Sequence, residues 1–199
     1  MKFSIIMPVF LGHYKGAATD RKNKFTRAVA SVLQQTLSDW ELIIVSDGCE
    51  DSRSFNFEDN RIRQFLIQKQ KYLSGAVRNE GIAQAQGENI LYLDSDDYWG
   101  PDHLKIIDAG LYKAGYPEWA HFNDWIAQKD GKFVERICNI HRQNQNGTSN
   151  VVHKRGLKVQ WTDGYLHDWH FIQQLKRYRS ERIATPEYLT CHIPNQIDI

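Results

Sequence analysis

Three carboxylates stand close together at Asp94, Asp96 and Asp97. The apolar run that precedes them, from Ile90 to Leu93, predicts a buried strand. Because a parallel strand buried on both faces excludes charge, the acids are predicted at its carboxyl end. Clustered carboxylates repel one another unless a cation joins them, and oxygen ligands favour Mg²⁺ or Mn²⁺ over zinc. The segment therefore predicts either a divalent-cation site that holds phosphates, or a solvated acidic turn before the next helix.

A second predicted strand, from Glu41 to Val45, also leads into an acid at Asp47. In an open α/β sheet the carboxyl ends of parallel strands meet at one edge, where ligands bind. Asp47 can accept hydrogen bonds from a nucleobase or a ribose there, or it can simply form a turn with Gly48. The chain has neither a G-x-G-x-x-G after its first strand nor a G-x-x-x-x-G-K-[ST] motif. The main sequence signals of a dinucleotide-dependent dehydrogenase and of a P-loop enzyme are therefore missing.

The elements that must position these acids alternate between strand and helix in the first half of the chain. Strands are predicted over 3–9, 41–45, 61–67 and 90–93, and helices over 25–33 and 74–85. Ser74 is predicted to cap the second helix and Gly87 to close it in a left-handed conformation. This order predicts an α/β fold with a mostly parallel sheet.

The second half of the chain has a different pattern. Helices are predicted over 101–114 and 167–178, an antiparallel hairpin over 119–134, and a strand over 188–193. No internal repeat and no linker separates the halves. We therefore predict a single domain over 1–199.

Composition fits a globular protein. The chain has 199 residues, of which 41% are hydrophobic and 25% charged, and its formal net charge of +1 argues against a general polyanion binder. No apolar run approaches the roughly 20 residues that cross a bilayer, and the first residues do not form a signal peptide. Cys49, Cys138 and Cys191 lack metal-ligand spacing, so we expect reduced thiols and a cytoplasmic location.

Three blocks of the first hundred residues resemble the family 2 glycosyltransferases of the GT-A fold, which are inverting enzymes that use nucleotide-diphosphate sugars. The blocks are the first strand with Pro8 and Phe10, the segment from Ser31 to Gly48, and the segment from Ala76 to Asp97. They occur in the family's order. The resemblance implies a single GT-A (Rossmann-like) α/β domain, with a mostly parallel central sheet flanked by helices and a small antiparallel part. Residues 1–100 would bind the nucleotide sugar, and residues 101–199 the acceptor.

The resemblance also implies roles for individual residues. Asp47 would recognise the base, typically uracil, Arg78 would neutralise the diphosphate, and Asp96 would be the main ligand of Mn²⁺ or Mg²⁺. The full donor-binding set would be Pro8, Val9, Phe10, Asp47, Arg78, Asp94 and Ser95, and the metal set Asp96, Asp94 and His192. On the other interpretation Asp47 forms only a turn, Arg78 is an exposed helix residue, and His192 is a packed or exposed histidine.

The segment from Gly164 to Trp169 falls where the family has a Glu-Asp pair. The second acid is the family's catalytic base, which implies Asp168 as the residue that removes the acceptor's proton. The alternative is an acid that complements a helix dipole. His167 replaces the family's Glu, which puts the local hydrogen bonding in question. Two further departures are Leu11 in place of Asn and Ser46 in place of Asp.

The sequence thus predicts metal-assisted transfer of a sugar, with UDP as the expected nucleotide, to an acceptor hydroxyl. The alternatives are a sugar-phosphate nucleotidyltransferase and a non-catalytic sugar-nucleotide-binding protein. The former generally has a Gly-rich basic loop, which Pro8 to Gly12 matches poorly, and Asp168 argues against the latter. The acceptor stays open between a glycan, a lipid-linked sugar, a small molecule, a protein and a nucleic-acid base. Basic residues that keep an anionic acceptor possible are Lys154, Arg155, Lys158, Lys176, Arg177, Arg179 and Arg182.

Overall fold

The computed structural model describes residues 1–70 and 74–199. The strands are β1 (Phe3–Val9), β2 (Trp40–Asp47), β3 (Ile62–Ile67), β4 (Asn89–Tyr92), β5 (Tyr98–Trp99), β6 (Trp119–His121), β7 (Asp124–Ala127), β8 (Phe133–Arg136), β9 (Val151–Lys154), β10 (Ser180–Arg182), β11 (Tyr188–Thr190), β12 (His192–Ile193) and β13 (Ile197–Asp198). The helices are α1 (Arg21–Leu33), α2 (Glu50–Arg53), α3 (Gly75–Gln84), α4 (His103–Lys113) and α5 (His167–Leu175), and a 3₁₀ turn spans Thr148–Asn150.

Strands from both halves of the chain form one sheet of seven strands, in the order β10-β6-β9-β4-β1-β2-β3. All neighbours are parallel except β9, which runs antiparallel to β4 and to β6. A second sheet has the order β5-β11-β7-β8, and β12 pairs with β13. The prediction of a mostly parallel α/β sheet with a small antiparallel part is therefore confirmed.

The two faces of the main sheet are covered by separate apolar clusters. Phe3, Ile5 and Met7 alternate along β1 and pack in one cluster with residues of α1 and α4. Ile6 points to the other face, where it packs with residues of α3 and α5. This alternation is the period of two that a strand imposes, and burial on both faces explains why β1 and β2 are almost continuously apolar.

The sheet brings residues from both halves to one edge. The carboxyl ends of β1, β2 and β4 lie together because these strands are parallel and in register. Since β6 and β10 both run opposite to β9, the ends of these two strands at His121 and Arg182 lie on that edge as well. β9 begins there, with Val151 paired to His121. Open α/β sheets bind ligands outside this edge.

The predicted hairpin over 119–134 is right in part. β7 and β8 form an antiparallel pair whose turn contains Gly131 with a φ of +80°. Trp119 does not belong to this hairpin, because it lies in β6 between β9 and β10 of the main sheet and is buried. The last helix, α5, ends at Leu175, three residues before the predicted end.

Two predicted helix caps are wrong. The Ser74 side chain makes no capping bond to α3, and its hydroxyl oxygen instead accepts a hydrogen bond from the Arg78 guanidinium. α3 ends at Gln84, and Gly87 is not in the left-handed region. Gly87 is needed for close packing instead, because a Cβ there would lie 2.7 Å from the backbone nitrogen of Ser4. Its own N–H donates to the Ser4 hydroxyl at 2.8 Å.

Over the described ranges, the helices are all too short or too polar to cross a bilayer. Cys49, Cys138 and Cys191 are free and buried.

Candidate active site

The carboxyl end of β2 carries a buried, paired carboxylate. Asp47 is 8% exposed. Its carboxylate accepts hydrogen bonds from the Lys69 ammonium at 2.5 Å and from the Gln70 backbone N–H at 2.6 Å. The Lys69 ammonium also lies 4.3 Å from the centroid of the Phe10 ring, a cation–π distance. We call Phe10, Asp47 and Lys69 the β2 corner; it places an aromatic face beside a charged pair.

The sequence pointed to Asp47 and Phe10 but missed Lys69. The available signal was a basic residue just beyond β3, which is parallel to β2 and so ends at the same edge. Pro8 and Val9, also predicted to bind the donor, are buried within β1. Their side chains pack inside the protein. Any contact that Pro8 and Val9 make with the donor would therefore involve their backbone atoms.

Asp94 lies just beyond β4 and has partners from three other parts of the chain. Its carboxylate accepts hydrogen bonds from the Arg78 guanidinium at 2.7 Å and from the Thr148 hydroxyl at 3.1 Å. Its backbone N–H donates to the Tyr188 hydroxyl at 3.1 Å. Arg78 is 3% exposed, so the interpretation as an exposed helix residue is wrong. The guanidinium carbon of Arg78 also lies 5.0 Å from the centroid of the Trp161 ring.

The rest of the acidic turn is not a solvated loop. Asp97 is buried, and its carboxylate accepts a hydrogen bond from the Cys191 backbone N–H at 2.7 Å, which ties the turn to the C-terminal strands. Asp96 is partly exposed, and burial together with the negative charge of Asp94 raises the pKa of its carboxyl group. Ser95 is also partly exposed between them. Two carboxylates, those of Asp94 and Asp96, thus face the edge.

Both ring nitrogens of His192, the predicted third metal ligand, already lie beside other groups of the protein. Its Nε2 lies 2.9 Å from the carbonyl oxygen of Gly16, and its Nδ1 lies 3.2 Å from a carboxylate oxygen of Asp198. Asp198 also accepts hydrogen bonds from Thr19 and Lys24. The imidazole therefore joins the first loop to the β12–β13 pair. A metal role requires Nε2 to leave Gly16.

Residues 1–70 and 74–199 contain no group of three or more His, Cys, Asp or Glu side chains arranged to hold a metal. Two carboxylates are nevertheless a sufficient protein contribution for Mg²⁺, which is commonly bound by one or two carboxylates plus substrate phosphates and water. The oxygen donors of Asp94 and Asp96 fit that requirement.

Asp168 lies in the first turn of α5, after Leu166, which adopts the left-handed conformation with a φ of 68°. A cavity of about 140 Å³ is lined by Asp168 together with Asn144, Asn146, Tyr165, Leu166, His167 and Trp169. One carboxylate oxygen, Oδ1, is buried without a hydrogen-bond partner in the described structure.

The surroundings of Asp168 suit a proton acceptor. Burial raises the pKa of its carboxyl group, an effect that positive charge on His167 and Arg78 opposes. His167 Nε2 lies 3.4 Å from Oδ1, and His167 Nδ1 lies 3.1 Å from the carbonyl oxygen of Gly164. The histidine that replaces the family's Glu is therefore fixed by the backbone and directed at the acid beside it.

Comparison with known proteins gives a family. The model of the family described as "Glycosyl transferase family 2" matches residues 4–114. An Escherichia coli relative, UDP-Glc:alpha-D-GlcNAc-diphosphoundecaprenol beta-1,3-glucosyltransferase WfgD, is 33% identical over 113 residues, covering 55% of this chain and 41% of the relative. A Campylobacter jejuni relative, GalNAc(5)-diNAcBac-PP-undecaprenol beta-1,3-glucosyltransferase, is 31% identical over 142 residues, covering 68% and 42%. The chain thus spans about two fifths of the length of these relatives.

Solved structures agree on the fold. The structure of S. aureus TarS 1-349 in complex with UDP-GlcNAc has a TM-score of 0.71 at 17% identity, covering 96% of this chain and 58% of that chain. The complex of TarS 1-349 with UDP has a TM-score of 0.72 at 17% identity, covering 96% and 60%. The structural likeness supports the GT-A fold, and the sequence match covers more than half of the chain. This chain belongs to glycosyl transferase family 2.

Proposed function

We propose that this chain transfers a sugar from a UDP-linked donor to an acceptor hydroxyl, with inversion at the anomeric carbon. The observation that carries the proposal is the Asp168 carboxylate in a cavity on the acceptor half of the chain, whose buried Oδ1 accepts no hydrogen bond from the described residues and faces His167 Nε2 at 3.4 Å. A sugar-nucleotide binder has no use for such a group. The UDP-sugar named for the Escherichia coli relative and the UDP-GlcNAc complex of TarS support the choice of donor.

In this proposal the β2 corner holds the base of the nucleotide. Phe10 offers an aromatic face, and the Asp47 carboxylate accepts hydrogen bonds from the base. Lys69 holds Asp47 in place and brings a positive charge to a site for an anionic ligand. Arg78, paired with Asp94, contributes a second positive charge toward the diphosphate.

Asp94 and Asp96 would hold Mn²⁺ or Mg²⁺, which when bound stabilises negative charge on the diphosphate leaving group. Asp168 accepts the proton of the acceptor hydroxyl while that oxygen forms a bond to the anomeric carbon. The bond from the anomeric carbon to the diphosphate breaks at the same time, and UDP leaves. Because a base works best when its pKa lies near the operating pH, the raised pKa of Asp168 favours this role.

The acceptor in this proposal is a hydroxyl of a glycan. Both relatives named above are beta-1,3-glucosyltransferases with undecaprenol-linked acceptors in their names. A nucleotidyltransferase, which attacks phosphorus instead of carbon, is disfavoured by the family match over residues 4–114. A cytoplasmic location stays a prediction, in keeping with the three free cysteines.

We expect donor binding to depend on a divalent cation. Calorimetry of UDP with Mn²⁺, with EDTA, and with the Asp96→Ala variant tests this. Affinity is expected to fall about tenfold or more in the last two conditions, because a charged interaction with the diphosphate contributes about 1.5–3 kcal/mol. Asp39→Ala, which removes an exposed acid, serves as the control and should bind UDP normally. Equal affinity in all conditions would remove the metal role of Asp96.

The same titration decides the role of His192. If His192 is a third metal ligand, His192→Ala will need more Mn²⁺ to reach the normal UDP affinity. If it only joins Gly16 to Asp198, the variant will keep the normal Mn²⁺ requirement, and Asp198→Ala will behave in the same way.

Asp47→Ala should weaken UDP binding by roughly 10- to 150-fold, because a hydrogen bond to a charged acceptor contributes about 1.5–3 kcal/mol. Asp51→Ala is the matched control, since Asp51 is exposed and pairs with Lys22 on the surface. Calorimetry and a thermal melt are measured on both variants. A lower melting temperature with unchanged UDP affinity would make Asp47 a structural residue that only fixes Lys69.

A further inference from the structure

A second cavity, of about 500 Å³, lies at the far end of the same sheet edge. His121 ends β6 and Arg182 ends β10, and the two residues are paired in register. The facing wall is formed by residues 137–141. The sheet order places β2 near one end and β6 with β10 at the other, so this cavity and the β2 corner are separated along the edge by β1, β4 and β9.

Three basic residues, His121, His141 and Arg182, line this cavity together with the neutral polar residues Asn139 and Ser180. The Arg182 side chain is exposed, and its guanidinium donates to the side-chain oxygen of Asn123. His121 Nδ1 is buried and has no hydrogen-bond partner there. His141 Nδ1 lies 3.4 Å from the Lys176 ammonium, so two basic side chains are in contact. No carboxylate is among the residues that line the cavity.

The surroundings of His121 disfavour a second positive charge on its ring, beside the charge of Arg182. Burial lowers the pKa of His121 to about 4, and the charges of Arg182 and His141 contribute to the lowering. Glu135 does not line the cavity, and its carboxylate accepts hydrogen bonds from Asn123 and Thr185. These hydrogen bonds lower the pKa of Glu135, and the charge of Arg182 lowers it further. An anion in the cavity would accept hydrogen bonds from the Arg182 guanidinium and, in the tautomer that carries the proton on Nδ1, from His121.

One loop forms a wall of both this cavity and the cavity of Asp168. Residues 137–141 line the first, and Asn144 and Asn146 line the second. The loop is folded on itself, because the Asn139 N–H donates to the carbonyl oxygen of Gln145 at 2.7 Å and the Asn146 amide donates to that of Asn139 at 3.1 Å. A molecule lying along this loop would touch both cavities.

We propose that the cavity at the ends of β6 and β10 binds a phosphate-type anion carried by the acceptor. Arg182 and His121 are its main ligands, while the reacting hydroxyl lies at Asp168. Ile137, which is 67% exposed, and the buried Ile140 give the same cavity apolar surface for the uncharged part of the acceptor beside the anion. This inference rests on the proposed function, because it treats the loop as the path of the acceptor.

The test uses inorganic phosphate as the probe, added to the full chain already saturated with UDP and Mg²⁺, which unlike Mn²⁺ does not broaden NMR signals. Binding is followed by the NMR signals of the His121 ring, against sodium chloride at equal ionic strength. Arg182→Gln should weaken phosphate binding about tenfold or more, since hydrogen bonds to charged groups are among the strongest. Arg179→Gln is the matched control, because Arg179 is on the same segment but donates to the Gly115 carbonyl and does not line the cavity. It should bind phosphate within about twofold of the wild type.

UDP affinity is measured in the same samples, which also shows that each variant is folded. A His121 ring that does not respond to phosphate in the UDP-bound chain would overturn the subsite. Equal weakening by both substitutions would overturn it too, since it would indicate only a general charge effect. Failure of the wild type to bind UDP would instead contradict the proposed function, so the two failures are distinct.

Discussion

Replacement of Asp168 by Asn is expected to lower the turnover number by roughly 10²–10⁴-fold while UDP affinity stays unchanged. Asn has nearly the size of Asp and keeps hydrogen bonding to the surroundings, but it cannot accept the proton of the acceptor hydroxyl. The carboxylate oxygen that would take this proton is buried and accepts no hydrogen bond from the described residues; it lies 3.4 Å from His167 Nε2, a contact that the side-chain oxygen of Asn can keep. The turnover number and the Michaelis constant are measured with a glycan acceptor, and UDP affinity by calorimetry.

Asp163→Asn is the control for this result. Asp163 lies a few residues before Asp168, but its carboxylate already accepts a hydrogen bond from the Ala76 backbone N–H at 3.2 Å. We expect its turnover to change far less. Near-normal turnover in Asp168→Asn, with loss in Asp163→Asn, would move the base to Asp163. Loss of UDP binding together with activity would make Asp168 a donor-site or structural residue.

The pH dependence of turnover is a second test of Asp168 as the base. Burial raises the pKa of Asp168 above the ordinary 3.8 of an Asp. A base must be deprotonated to act, so turnover should fall as the pH drops through this raised pKa. The acid limb should therefore lie at a higher pH than an ordinary Asp would give, and Asp168→Asn should lack it.

Replacement of Asp124 by Ala is expected to cause the largest loss of stability, about 3–5 kcal/mol in the free energy of unfolding. Asp124 is fully buried in β7. Its carboxylate accepts hydrogen bonds from Arg136 in β8, from the Ser149 hydroxyl at 2.8 Å and from the Thr190 hydroxyl at 3.1 Å. Removing it leaves the Arg136 charge and two hydroxyl groups without their acceptor. Since Arg136 is 37% exposed and can reach water, we expect a value near the lower limit.

Urea denaturation measures this loss, with Asp130→Ala as the matched control. Asp130 lies in the turn of the same hairpin, is exposed, and pairs with Lys132 at 3.5 Å. An exposed pair contributes about 1 kcal/mol or less, so Asp130→Ala should change stability little. If both variants lose a similar amount of unfolding free energy, the hydrogen bonds of the Asp124 carboxylate contribute no special stability. Asp124 also fixes Ser149, and the neighbouring Thr148 hydroxyl donates a hydrogen bond to Asp94. Asp124→Ala should therefore shift Thr148 away from Asp94 and reduce UDP affinity in the fraction that stays folded.

The sequence predicts the parts of this site that depend on local pattern. The apolar runs of β1, β2 and β4 and the helices between them require parallel strands, and parallel strands require Asp47 and Asp94 at one edge. What the sequence could not show are contacts made by tertiary packing. Thr148 and Tyr188 reach Asp94 from distant positions, and no local pattern marks them.

His192 and Trp119 illustrate the same limit. His192 was predicted as a metal ligand on resemblance, and the structure places its two ring nitrogens against Gly16 and Asp198, in segments that no sequence spacing relates to it. Trp119 has the alternation of a hairpin strand, but β9 and β10 pair with its strand and draw it into the main sheet. Alternation reports that a segment is a strand and does not report which sheet it joins.

The most direct measurement of the central claim is the product analysis of a UDP-sugar turned over by this chain with water as the acceptor and with Mg²⁺, which does not broaden NMR signals as Mn²⁺ does. The proposal predicts UDP as the nucleotide product, and a free sugar that first appears by NMR with the anomeric configuration opposite to that of the donor. UMP together with a sugar phosphate would show attack at phosphorus and contradict the proposal. Release of the sugar with retained configuration would contradict inversion.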